Sequence, residues 1–293
     1  MLYPSRSSLS ALILLCFCLS GCAWAPRSPE YRKCYAHLKQ VPTGPMSPSD
    51  HQLVILVCAR HLDYTNSQSL LKTVAKHPQD GSLTGDVGHA WVLLKSGDEI
   101  IEGGHSGELG LDESRYFDGI MDLIEAGDPN PVRYMHHTLH DGYFESGSGG
   151  FFPTYAIKKT LTYEQAAKIR HLITHYDYRE YSLTKRQCLV FVNKVAQIAG
   201  LHFETDISIP VAKYAHVGNH QIKLWTNETY ATLQLMSPDV LEKSLMEAVY
   251  AGEAEYALDW YRKTHYQGSD RIEWGRLFER LAKLYLFQSI SGS

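Results

Sequence analysis

Apolar residues run unbroken from Leu53 to Cys58 and again from Ala90 to Leu94. Both runs have strand length, and with no polar alternation they predict strands buried on both faces. Ser96-Gly97-Asp98 after the second run is a hairpin signal, and Glu99 to Gly104 reads as the returning strand. Shorter strands are expected at Thr154–Ile157, Val132–His136 and Ile207–Val211, the last as an extended piece. A polar stretch, Asn66 to Ser69, introduces a short helix over Leu70–Lys76.

Two later segments carry helical spacing. Thr162 with Gln165 forms a capping box, followed by Ala166, Ile169, Leu172 and Ile173 on one face, with an end near Tyr176. The second begins at Cys188 and continues through Phe191, Val192, Val195 and Ala199 to a stop at Gly200. It is apolar on nearly every side, as a core helix is. Beyond about residue 220, Ser237-Pro238 starts a helix by N-cap and N1 chemistry. Gly252 and Gly268 punctuate two more, and Leu277, Leu281, Leu284 and Leu286 with Tyr285 suggest a terminal amphipathic helix. The whole predicts an α+β fold with a C-terminal helical extension.

The N-terminus is read differently. In residues 1–21 Arg6 is the only charge, and Leu9 to Leu19 form an apolar core too short to span a bilayer. Leu19-Ser20-Gly21-Cys22 has the form of a bacterial lipobox, which predicts cleavage before Cys22 and lipidation of that residue. The expected organisation is a lipoprotein signal over 1–21, a linker over 22–50 with five prolines between residues 23 and 50, a mixed α and β domain over 51–215 and the helical extension over 216–293. The expected address is the bacterial cell envelope, anchored by lipid to a membrane at its periplasmic or outer-membrane face.

The chain has 28 basic and 32 acidic residues and a net charge of -4, without a basic block, which argues against nucleic acid as a partner. Six cysteines fall to four once the signal is removed: Cys22, Cys34, Cys58 and Cys188. In an oxidising compartment Cys34 could pair with Cys58 and leave Cys188 as a thiol; a simple buried thiol at Cys58 is the equal alternative. His136, His137 and His140 invite a metal reading, but no cysteine or carboxylate completes a recognisable spacing, so no metal and no cofactor is expected. Ser146-Gly147-Ser148-Gly149-Gly150 lacks the Lys-Ser/Thr of a P-loop and reads as a rim loop.

The candidate chemistry centres on Cys188. A cysteine in the first turn of a helix meets backbone N–H groups and the positive end of the helix dipole, both of which favour a thiolate. His89, near the start of its strand, and Glu102, near the end of the next, are neighbours in a tight hairpin. A nucleophile, a base and an orienting carboxylate therefore occur in the order His89, Glu102, Cys188.

These pieces resemble the circularly permuted papain-like thiol hydrolases, the group of lecithin:retinol acyltransferase and permuted relatives of NlpC-type cell-wall peptidases. The likeness rests on Asp86-Val87-Gly88-His89, Gly97-Asp98, Glu102, and Tyr181-x-Leu183-x-x-x-Gln187-Cys188-x-x-Phe191-Val192, within residues 85–200. Gln187 stands where the family has Asn, and Leu189-Val190 replaces a more polar pair. The resemblance implies a papain-like core, a small antiparallel sheet packed on the cysteine-bearing helix. It also implies acyl transfer: Cys188 attacks, His89 shuttles the proton, and Glu102 holds the imidazole, with His105 as the alternative third residue. The Cys188 backbone N–H, with Gln187 as a second candidate, would bind the oxyanion. The expected substrate is a cell-wall peptide amide or a lipid acyl group, and the membrane is met through the lipid on Cys22.

Overall fold

The computed structural model describes residues 49–74, 87–107, 112–217 and 219–265. The expected signal over 1–21, Cys22, Cys34 and the expected terminal amphipathic helix lie outside these residues.

Every residue of strand β1 (His51–Cys58) after the first is buried. It lies inside a six-stranded antiparallel sheet ordered β10-β5-β1-β2-β3-β4, where β2 is His89–Ser96, β3 Glu99–Ser106, β4 Tyr143–Ser146, β5 Tyr155–Thr160 and β10 Glu255–Tyr256. Strands β2 and β3 are joined by the expected two-residue turn, with Ser96 opposite Glu99 and Gly97 at φ +63°.

The two faces of the sheet bury different residues, because side chains alternate along a strand. On one face Leu53, Ile55 and Val57 of β1 and Ala90, Val92 and Leu94 of β2 pack with three helices. These are α3 (Tyr163–His175), α4 (Cys188–Ile198) and α5 (Pro238–Tyr250). On the other face Val54, Leu56 and Cys58 meet Trp91, Leu93, Phe151 and helix α6 (Leu258–His265) through Leu258 and Tyr261. The remaining described helices are α1 (Ser67–Val74) and α2 (Asp112–Glu125).

The local signals act where expected. Thr162 and Gln165 form both halves of the capping box on α3, and Ser237 caps α5 with Pro238 at N1. Three expectations change. Residues Pro131–His136 form a 3-10 helix rather than a strand, with Pro131 at its start, where the missing N–H costs nothing. The region after residue 216 is not all-helical: β7 (Tyr214–Val217) pairs with β8 (His220–Lys223), and β9 (Thr232–Met236) pairs with β6 (Asp206–Pro210). Alternation explains β9, whose Leu233 and Leu235 bury against Ile209. Nor is α5 an appendage, since its Leu241 and Leu245 belong to the same core as Phe191 and Val195.

Candidate functional site

Helix α4 delivers the cysteine. Ahead of it, residues 182–186 close on themselves: Ser182 N–H donates to Arg186 O and Arg186 N–H donates back to Ser182 O, each at 3.0 Å. Gln187 is the extended N-cap at φ −125°, and Cys188 is the first helical residue. Phe191, Val192 and Val195 lock the helix into the core, each with no exposed surface. Cys188 is itself only 2 % exposed. It lies at the positive end of the helix dipole, on the sheet face formed by Ala90, Val92 and Leu94.

Of His89 and His105, it is His105 that shares this face. In β2 and β3 Val92 lies opposite Gly103, and in β3 and β4 His105 lies opposite Phe144, which packs against the core containing Cys188. His105 has no exposed surface and stands edge-on to three rings, Tyr176, Tyr178 and Tyr181, at 5.4–5.6 Å. Tyr176 and Tyr178 also contact Phe191, one turn along from Cys188, and the Tyr176 hydroxyl feels the field of Cys188. His105 and Cys188 thus share one aromatic wall.

The imidazole is fixed by the segment 176–181. Its Nε2 lies 3.1 Å from the Tyr178 carbonyl. A carbonyl only accepts, so Nε2 carries the proton and Nδ1 holds the lone pair. Nδ1 is buried and has no hydrogen-bond partner among the described residues. Burial lowers the pKa of His105 to about 4; the bond to Tyr178 pulls the other way, and Arg186 adds to the lowering. At neutral pH the ring is uncharged and able to accept a proton. Gly142 lies against the Tyr178 carbonyl and His105 Nε2, where any side chain would force the segment away. Arg186 closes the arrangement from outside, donating to Glu180 Oε2 at 2.8 Å and to the Asp177 carbonyl at 2.5 Å, with its guanidinium over Tyr176.

His89 does not join this group. It alternates with Trp91 and Leu93 and stacks on Phe151 at 4.7 Å and on Trp91 at 5.9 Å, on the face opposite Cys188. Gly88 sets the entry to this strand: φ is +94°, and a Cβ would run into the Cys58 carbonyl.

Glu102 is on that opposite face too, and it does not orient His89. Its Oε1 accepts from Trp91 Nε1 at 3.0 Å and from the Tyr261 hydroxyl at 2.5 Å, and its Oε2 lies 3.3 Å from His265 Nε2. Leu93 stands opposite Glu102, so the two side chains share a face, and helix α6 covers it. Glu102 is the anchor of that helix.

Gln187 is not available as an oxyanion donor either. Its Nε2 donates to the carbonyls of Leu183 at 3.1 Å and Met236 at 3.0 Å, and its Oε1 faces Cys188 Sγ at 3.8 Å.

Two features had no signal in the sequence pattern. The Tyr116 hydroxyl, from α2, accepts the Leu183 N–H at 3.1 Å and donates to the His137 carbonyl at 3.0 Å, tying α2 to the turn before Cys188. Asp239, in the first turn of α5, accepts the N–H groups of Arg60, His61 and Leu62 at 2.6–2.8 Å and holds His61 at φ +55°. His61 Nε2 pairs with the buried Glu242 at 2.7 Å. Only the Ser237-Pro238 start of α5 was legible; Asp239 and its distant partners were not.

His136 and His137 pack against Tyr230 and Tyr134, and among the described residues no three metal-ligating side chains cluster. A surface cleft of about 550 Å³, lined by Asp118, Gly119, Asp122, Leu123, Tyr134 and His137, contains none of the Cys188 group. Cys58 is buried in β1. The chain matches no family model, and neither curated proteins nor solved structures give a match.

Proposed function

We propose that this chain is a lipid-anchored thiol hydrolase of papain-like architecture, with Cys188 as nucleophile and His105 as base, acting on amide bonds of cell-wall peptides. The observation that carries this reading is the fixed tautomer of His105 on the sheet face that packs against the Cys188 helix. In the first step Nδ1 of His105 takes the Cys188 proton as sulfur bonds to the substrate carbonyl carbon. The tetrahedral oxyanion is met by the Cys188 backbone N–H at the helix start. Its collapse breaks the C–N bond, and the imidazolium returns the proton to the leaving amine. Water, deprotonated by the same Nδ1, then hydrolyses the thioester and regenerates the thiol. The Tyr178 carbonyl takes the orienting role first given to Glu102. The lipobox Leu19-Ser20-Gly21-Cys22 supports anchoring through Cys22, and no helix among the described residues is long and apolar enough to cross a membrane.

The burial of Cys188 favours a second reading, a non-catalytic envelope lipoprotein. An activity-based thiol probe decides between them: labelling of Cys188 that His105→Ala abolishes supports the hydrolase, and labelling of neither supports the scaffold. Muropeptides assayed against phospholipids then distinguish the peptide amidase from a lipid acyltransferase or esterase; turnover of phospholipid alone refutes the peptide assignment.

A further inference from the structure

We propose that Gln187 is a positioning residue that keeps Cys188 in its resting thiol form, its side-chain oxygen accepting the S–H proton. The inference rests on Cys188 being the nucleophile and assigns the state in which it waits.

The geometry fixes which end of the amide meets the sulfur. One end of the Gln187 side chain lies 3.1 Å from the Leu183 carbonyl and 3.0 Å from that of Met236. Two carbonyls require an NH₂ group between them, since an oxygen there would oppose both. The oxygen is thereby turned to Sγ, at 3.8 Å. Gln187 is 4 % exposed and pinned between the 182–186 turn and the end of β9, so its oxygen stays where it is while the thiol titrates.

An acceptor dipole aimed at sulfur stabilises S–H and opposes S⁻. It acts against the helix terminus, which favours the thiolate. Charged and titratable groups around the site include His105 from β3, Tyr176, Asp177, Tyr178, Glu180, Tyr181 and Arg186 from the segment before the helix, Lys194 over the Tyr176 ring, and His89 of β2, which acts electrostatically on His105. Beyond Met236, Asp239 and Glu242 of α5 are committed to the Arg60–Leu62 amides and to His61. His105 is uncharged at neutral pH and supplies no cation to hold a thiolate. The resting pair is a thiol and a neutral imidazole, so proton transfer belongs to the attack itself rather than preceding it.

The test is the rate of iodoacetamide labelling of Cys188, read peptide by peptide against pH, in the full-length wild type and in Gln187→Leu. Loss of one acceptor should raise labelling at mildly acidic pH by about two- to threefold, the low end of a hydrogen bond's worth, because S–H is a weak donor. Equal or slower labelling across the pH range overturns the proposal. If Gln187→Leu fails to fold, the infrared S–H stretch decides, taken as the difference between wild type and Cys188→Ala. A band below that of a thiol in apolar solvent is expected, and one at the apolar-solvent position overturns the proposal. Turnover of muropeptides by His105→Ala tests the hydrolase reading separately, so either can fail while the other stands.

Discussion

Replacing Glu102 by alanine separates an anchoring carboxylate from a catalytic one. The carboxylate is the acceptor for Trp91 Nε1 and for the Tyr261 hydroxyl, and both side chains are almost fully buried. Removing a buried acceptor costs about 1–3 kcal/mol for each donor it served, so Glu102→Ala should destabilise by roughly 2–6 kcal/mol. The contact to the partly exposed His265 adds at most about 1 kcal/mol. Glu102→Gln keeps an oxygen for both donors and should cost roughly 1 kcal/mol or less. Urea unfolding followed by tryptophan fluorescence measures the global loss, and amide exchange in α6 shows whether that helix is released first. Peptide turnover per folded molecule should be unchanged in both variants. The reasoning is refuted if Glu102→Ala stays within about 0.5 kcal/mol of wild type while turnover collapses, because that is the signature of an orienting role.

Other consequences follow from the same contacts. Because burial lowers His105 to about 4 from 6.5, the unfolded chain binds its proton first as pH falls. This contribution to stability is complete above about pH 6.5 and is lost as pH drops towards about 4, by roughly 3 kcal/mol; His105→Phe should flatten that part of the urea-midpoint profile. Tyr116→Phe leaves the Leu183 N–H without its acceptor and should cost about 1–3 kcal/mol in thermal or urea unfolding; a neutral result would separate α2 from the turn before Cys188. Phe191→Ala should cost about 3–5 kcal/mol, and a loss below 1 kcal/mol would mean that α4 is not held by the core.

The local grammar of the chain was largely legible. The unbroken apolar runs mark β1 and β2, Gly97-Asp98 marks the hairpin of β2 and β3, and Thr162 and Ser237 mark helix starts, because each depends on residues adjacent in sequence. What could not be read is how distant segments meet. The pairing of β9 with β6 joins segments well apart along the chain. The contacts of Asp239 span 177–179 residues and leave no periodic trace.

The site itself turned on parity. A strand sends successive side chains to opposite faces, so residues an even number apart share a face and those an odd number apart do not. His89 is one residue before Ala90, and Ala90 faces the cysteine helix; His89 therefore stacks on Phe151 behind the sheet. The hairpin register then couples the two strands: Leu93 opposite Glu102 puts Glu102 behind the sheet as well, and the next histidine, an odd three residues on, comes out in front. The hairpin itself was read correctly, but its register sets Glu102 opposite Leu93 rather than beside His89, and the sequence did not say which face the Cys188 helix would cover. That depends on α4 packing against Ala90, Val92 and Leu94 rather than against Trp91 and Leu93. Trp91 needs an acceptor for its indole N–H, which Glu102 supplies on the α6 side. The face of Ala90, Val92 and Leu94 is left for the apolar helix, and His105 shares that face with Cys188.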